Sequence, residues 1–158
     1  MESEVKTLHV NNASLLPEVV KLLEEGHTVT LPLRGFSMRP FLEDQRDKAL
    51  LSKPTGIRKG DAVLAEISPG RYVLHRIVDI SGDHVTLLGD GNLTPEHCRR
   101  RDIRATAIGF YRKQRNTLDS TDGRKWKVYS WCWTRLRPLR RYLLAFYRRI
   151  WLKIANPI

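Results

Sequence analysis

Two hydrophobic periodicities follow one another at the start of the chain. Apolar residues first recur at three- and four-residue steps, which predicts a short helix that Ser14 caps and Gly26 ends. From residue 28, Val29, Leu31 and Leu33 alternate with polar or proline positions, which indicates a strand. The predicted helix carries the apolar residues Leu15, Leu16, Val19, Val20, Leu22 and Leu23.

Short apolar runs separated by turn residues continue to residue 112, and a polar segment, 116–123, leads to a helical tail over 125–155 that breaks at Pro138. The fold class expected is mainly β, with a short N-terminal helix and a basic amphipathic C-terminal helix. We divide the chain into an N-terminal extension (1–27), a β domain (28–115) and a linker with its tail (116–158). Further strands are predicted at 49–51, 62–67, 72–80, 84–88 and 103–112.

Composition narrows the class of protein. A length of 158 residues suits one domain, and an apolar fraction of 41% argues against a disordered chain. Two cysteines cannot form a disulfide framework or a Cys-rich zinc module, and the histidines lack metal-ligand spacing, so no metal or cofactor is expected. No run of eighteen apolar residues predicts a spanning helix, and the N-terminus does not resemble a secretory signal. We expect a cytoplasmic protein, with a peripheral place at the cytoplasmic membrane face as one possibility.

The net charge of +11 is concentrated at the C-terminus. Residues 1–122 contain 18 Lys and Arg and 17 Asp and Glu, whereas residues 123–158 contain 10 Lys and Arg, no acid and all four tryptophans. A basic, aromatic, amphipathic helix is typical of a segment that lies on an anionic membrane. Docking on the β domain or on a second copy is the alternative, and nucleic-acid binding is a weaker one because no reading motif is present. The residues predicted at the membrane surface are Arg140, Arg141, Arg148, Arg149 and Trp151.

Three boxes contain residues suited to acyl-transfer chemistry. In residues 35–40 (GFSMRP), Gly35 and a proline would hold Ser37 in an exposed turn, as a nucleophile requires, although such residues are also ordinary in loops. In residues 74–77 (LHRI), His75 lies within an apolar strand, where it is either a core residue or a base that titrates near neutrality. In residues 89–92 (GDGN), Asp90 either satisfies a turn or orients an imidazole.

Taken in order, the boxes Ser-Met-x-Pro (37–40), Lys-Gly-Asp-x-Val-Leu (59–64), Leu-His-Arg-Ile-Val (74–78) and Gly-Asp-x-Asn (89–92) resemble the signal peptidase I superfamily, which includes the self-cleaving domains of LexA-type repressors. The likeness covers about residues 29–112 and matches the Ser–His branch. It implies a signal-peptidase-like β fold, with Ser37 as nucleophile and oxyanion N–H donor and His75 as general base. Asp90 is slightly favoured as the third member, with Glu96 as the alternative acid, and Gly35 replaces a hydroxyl that some relatives use.

The resemblance implies a serine endopeptidase that cleaves a peptide or protein precursor, but two features of the family are not expected here. No apolar run predicts the transmembrane anchor of signal peptidases, and we expect no helix-turn-helix domain like that of LexA-type repressors, because the residues before the first predicted strand are too few. A catalytically silent peptide-binding module of the same fold is therefore kept as an alternative. A membrane or nucleic-acid adaptor that acts through the basic tail is another.

Overall fold

The computed structural model describes residues 12–158 of the chain, with side chains from Leu15 onward. Helix α1 (Asn12–Glu24) precedes strands β1 (Val29–Pro32), β2 (Lys48–Ser52), β3 (Ala62–Ser68), β4 (Arg71–Ser81), β5 (His84–Leu88), β6 (Glu96–Arg99), β7 (Ile103–Tyr111) and β8 (Leu118–Ser120). A 3₁₀ turn (Arg100–Asp102) lies between β6 and β7. The tail contains α2 (Arg124–Arg135), a 3₁₀ turn (Arg137–Leu139), α3 (Arg140–Phe146), a π-helical turn (Tyr147–Trp151) and α4 (Leu152–Ile154).

The described strands form one antiparallel sheet in the order β1-β2-β7-β3-β4-β5-β6, and β8 pairs with the end of β7. The mainly β prediction is thus confirmed, together with its terminal helices. Two strands were not predicted. β6 carries the short segment 96–99, which is too polar to show an apolar run, and β8 lies inside the segment interpreted as a linker.

Successive residues of β3 point to opposite faces of the sheet, and each face has its own core. Ala62 and Leu64 belong to a core that also contains residues of α1 and Trp126 of α2, whereas Val63 and Ala65 belong to a second core with β5 and β6. The tail therefore takes part in the main core. Within residues 12–158, no helix is long and apolar enough to cross a membrane.

Candidate active site

Ser37 lies in the loop between β1 and β2, where it is half-buried. The preceding Gly35 has a φ of +81°, a conformation that residues with a Cβ rarely adopt, and its N–H donates to Asp44 Oδ1 at 2.7 Å. The following Met38 is buried in the main core. The loop is thus fixed on both sides of Ser37, as the turn predicted from the sequence requires.

A second loop, 89–92, packs directly against the Ser37 loop. The N–H of Gly91 donates to the Ser37 carbonyl at 2.7 Å. A Cβ at Gly89 would lie 2.5 Å from the Ser37 carbonyl oxygen, and one at Gly91 would overlap the Phe36 carbonyl oxygen. Two glycines are needed because the two backbones approach this closely. Boxes that lie about fifty residues apart in the sequence therefore form one structural unit.

His75 lies in β4 and is paired with Glu96 of β6. His75 Nδ1 and Glu96 Oε2 are 2.8 Å apart, and among the described residues neither of these buried atoms has a partner at hydrogen-bond geometry, so the pair is a close charge contact. The other carboxylate oxygen of Glu96 accepts from Arg71 at 2.8 Å. Arg71 therefore holds one oxygen of the Glu96 carboxylate, while the other oxygen faces the imidazole. A carboxylate in this position fixes the orientation of a histidine ring.

Burial lowers the pKa of His75 below its ordinary value of 6.5, and the negative charge of Glu96 opposes that shift only in part. The imidazole is therefore neutral near pH 7, with a lone pair on one ring nitrogen. Because Glu96 faces Nδ1, the nitrogen that remains for a substrate or a serine hydroxyl is Nε2. This protonation state is the one that a general base requires.

Ser37, His75 and Glu96 line the same cavity, which has a volume of about 340 Å³. Asn92, from the loop that packs against Ser37, also lines it. The remainder of the wall is mostly apolar but includes the charged side chains of Arg34, Glu43 and Arg71. Its apolar lining includes Leu16, Leu31, Leu33, Met38, Leu42, Leu64, Val73 and Leu74. The cavity thus combines apolar wall residues with convergent polar and charged groups, as ligand sites do.

The structure corrects the preference for Asp90 as the acid beside His75. The Asp90 carboxylate accepts from Arg76 Nε at 2.8 Å and from Arg76 Nη2 at 2.7 Å, and both side chains are fully buried. The Tyr129 hydroxyl donates to the same carboxylate at 2.8 Å. Because Arg76 follows His75 in β4, its side chain points to the opposite face of the sheet. Asp90, its partner, therefore lies on that face, away from His75. Glu96 is the acid in contact with His75.

The tail covers the Arg76–Asp90 pair. Trp133 Nε1 donates to the Asp90 carbonyl at 3.0 Å, and Arg148 donates to the Gly91 carbonyl at 2.8 Å. Burial raises the pKa of Tyr129 well above its ordinary value, with the Asp90 charge adding to the shift, so its hydroxyl stays a donor. The tail thus contacts the same loop that supports Ser37.

These contacts also correct part of the predicted membrane surface. Arg140 is buried, with its guanidinium 5.3 Å from the ring centre of Trp133, so it cannot meet a lipid headgroup. Arg148 is exposed, although its guanidinium donates to the Gly91 carbonyl, and Trp151 is half-buried with its indole N–H donating to the Asn156 carbonyl. Of the predicted set, Arg141 and Arg149 are exposed and make no such contact with the body.

Sequence reasoning missed Arg71, Arg76, Tyr129 and Trp133. Arg76 adjoins the predicted base, and the concentration of aromatic residues in the tail was a signal of docking as much as of membrane binding. No model of a known protein family matches the chain, and no curated protein is similar to it. Within the described residues, no three His, Cys, Asp or Glu side chains are grouped as metal ligands would be.

Proposed function

We propose that this protein is a serine endopeptidase with a signal-peptidase-like fold, which cleaves a peptide or protein precursor. Ser37 is the nucleophile, His75 is the general base and Glu96 is the carboxylate that orients His75. One observation carries the proposal: a neutral, buried imidazole faces a carboxylate at 2.8 Å and lines one cavity with a serine held in a fixed turn.

The reaction is acyl transfer. Ser37 Oγ attacks the carbonyl carbon of the scissile bond as its proton passes to His75 Nε2, and the imidazolium is stabilised by Glu96. The proton then moves to the leaving amine as the C–N bond breaks, which leaves an acyl ester on Ser37. Water attacks that ester with His75 again as base, and the acid product departs with both side chains restored. The backbone N–H of Ser37 is one donor for the oxyanion.

Two backbone edges that are unpaired within residues 12–158 favour an extended peptide as substrate. Among the described strands β1 lies at one end of the sheet, and the pairing of β4 with β5 begins only at Arg76. Residues 71–75 of β4 and Leu31 of β1 line the cavity. An extended chain can add to such an edge through backbone hydrogen bonds, with alternate side chains entering pockets. The aliphatic wall suits a substrate with an apolar side chain next to the scissile bond.

A comparison of protein N-termini tests the assignment. Cells that produce the wild-type chain are compared with cells that produce Ser37→Ala, and Ser68→Ala serves as the control because Ser68 is an exposed serine outside the cavity. We expect a set of N-termini that is present with wild type and with Ser68→Ala and absent with Ser37→Ala. Purified protein should then cut a peptide that spans the same bond.

Unchanged N-termini, with all three proteins folded and equally abundant, would contradict the endopeptidase assignment. The same result would favour the silent peptide-binding module, because strand addition along the free edges of β1 and β4 needs no nucleophile. Retention of a bound peptide by both wild type and Ser37→Ala, without cleavage, would establish that second function.

A further inference from the structure

An apolar stripe on the tail is left exposed after the tail has docked. In the helical run 140–154, Leu144 and Tyr147 face the body and are buried. A different side of the same run carries exposed apolar residues at three- and four-residue steps, with Tyr142 70% and Ile154 76% exposed. The stripe begins at Leu139, which directly precedes the run, and continues with Tyr142, Phe146, Ile150 and Ile154.

Unpaired positive charge accompanies the stripe. Arg141, Arg149 and Lys153 lie on the same helical run and are exposed. Across residues 12–158, none of these three forms an ion pair, and no acidic residue follows Asp122 in the chain. The stripe and its cations together form a surface that is apolar along its centre and only positive around it, which we call the tail surface.

We propose that the tail surface binds the headgroup region of an anionic lipid bilayer. The helical run would lie parallel to the bilayer plane, with Tyr142, Phe146 and Ile150 among the acyl chains and the flanking arginines at the phosphates. This is the composition of interfacial helices, in which apolar burial and attraction to anionic lipid act together. The opposite face, which carries Leu144 and Tyr147, stays buried against the body, so binding requires no unfolding of the tail.

Charge and apolarity together favour a bilayer over two other occupants. Nucleic acid would use the cations, but its phosphate attraction gives no role to a regular stripe of exposed apolar side chains. A second copy of the chain would cover the stripe, but it would bring the two sets of arginines together without acids to pair them, and like charges facing across an interface are unfavourable. An anionic bilayer satisfies both features at once.

Vesicle binding by the full chain tests the proposal. Vesicles of phosphatidylcholine with 30% phosphatidylglycerol are compared with vesicles of pure phosphatidylcholine, by co-sedimentation at low and at high salt. We expect binding to the anionic vesicles, with at least about tenfold weaker binding to the neutral ones and a clear loss at high salt, because Debye screening weakens the charge attraction. The assay does not depend on peptidase activity, so its outcome is independent of the proposed function.

Two pairs of variants separate the apolar and the charged contributions. Arg141→Gln with Arg149→Gln should weaken binding about 30-fold at low salt, from about 1 kcal/mol for each residue. The matched control removes two exposed arginines of the body, Arg99→Gln with Arg101→Gln, and should have little effect. Phe146→Ser, which alters an exposed side chain, should weaken binding further than Leu93→Ser, an equally exposed leucine elsewhere.

Each other outcome would overturn the proposal. Equal binding to anionic and neutral vesicles, or none to either, would exclude an anionic bilayer as the occupant. Equal weakening of binding by the tail substitutions and by the control substitutions in the body would exclude it as well. Tight binding of an oligonucleotide without binding to vesicles would assign the tail surface to nucleic acid. Concentration-dependent dimers that Phe146→Ser abolishes, again without vesicle binding, would assign it to a second copy.

Discussion

His75 and Arg76 are consecutive residues of β4, and each is paired with a different carboxylate. His75 faces Glu96 in a cavity that also contains Ser37, and Glu96 is partly exposed there. Arg76 and Asp90 form a bidentate pair on the opposite face, where both are fully buried beneath Tyr129 and the rest of the tail. We call His75 with Glu96 the open cluster and Arg76 with Asp90 the closed cluster. The two differ in their exposure to the cavity and in whether their cation can lose its proton.

The difference separates a chemical role from a structural one. An imidazole near its pKa can gain and lose a proton, whereas a guanidinium is always charged and can only hold its partner in place. The open cluster is therefore suited to proton transfer. The closed one ties the loop 89–92 to β4 and to the tail, and through Gly91 it supports the Ser37 backbone.

Removal of residues 124–158 should have the largest effect, because it uncovers the closed cluster and the main core. The deletion removes four large buried side chains, Trp126, Trp133, Leu144 and Tyr147. At about 2–3 kcal/mol each, their loss is comparable to the whole stability of a domain. We expect the truncated chain to lack a cooperative thermal transition in circular dichroism. The full chain with Tyr142→Ser, an exposed position, should keep it.

A truncated chain that folds and cleaves normally would contradict the prediction that the tail is needed for folding. The tail would then serve only as an anchor. That simpler role would also require the main core to close without Trp126, which packs against Phe41 and Phe110.

Arg76→Met should lower the free energy of unfolding by about 3–5 kcal/mol, because it leaves the Asp90 carboxylate buried without its cation. Denaturant unfolding measures the change. Lys59→Met is the control, since its partner Asp79 is exposed and a surface ion pair adds little. A second variant, Arg76→Met with Asp90→Leu, should recover much of the loss, since replacing a whole buried pair with apolar groups is tolerated far better than breaking it. No loss in the single variant would show that the pair is dispensable.

Glu96→Gln should reduce cleavage of the identified substrate by about 100-fold with little change in stability, because the imidazolium formed during proton transfer loses its counter-charge. Glu66→Gln is a close control: Glu66 is also paired with an arginine, and its side chain is 21% exposed, as is that of Glu96. Rates from purified variants on one peptide give the comparison. A large fall with Asp90→Asn at unchanged stability, and none with Glu96→Gln, would return the role to Asp90.

The pH dependence gives the smallest effect. Since burial lowers the pKa of His75, the neutral base should persist below pH 6.5, and cleavage should fall only at more acidic pH. Stability should fall in the same direction, because below pH 6.5 the unfolded chain binds the His75 proton more readily than the folded one. In Glu96→Gln the falling limb should move to still lower pH, since the charge that raises the pKa is gone. A limb above pH 6.5 would contradict a buried histidine as base.

Local pattern was enough for most of the elements. Alternation at 29–33 and the apolar runs at 62–67 and 84–88 correspond to strands because each packs alternate or successive side chains in or against a core. The same reasoning failed for β6, whose sequence EHCR has only Cys98 buried, and β6 is the strand that carries Glu96. The acid could not be assigned from the sequence because its strand had no visible pattern.

By itself, the sequence determined the alternation of residues along β4, and so the fact that His75 and Arg76 face opposite sides of the sheet. It also determined the glycines that let the loops 35–40 and 89–92 meet, and the positive charge of the tail. Only the tertiary structure decided which carboxylate reaches which residue, since the pairing of β5 with β6 brings Glu96 to His75. It also decided which face of the tail is buried, because an amphipathic pattern specifies a face and leaves its partner open.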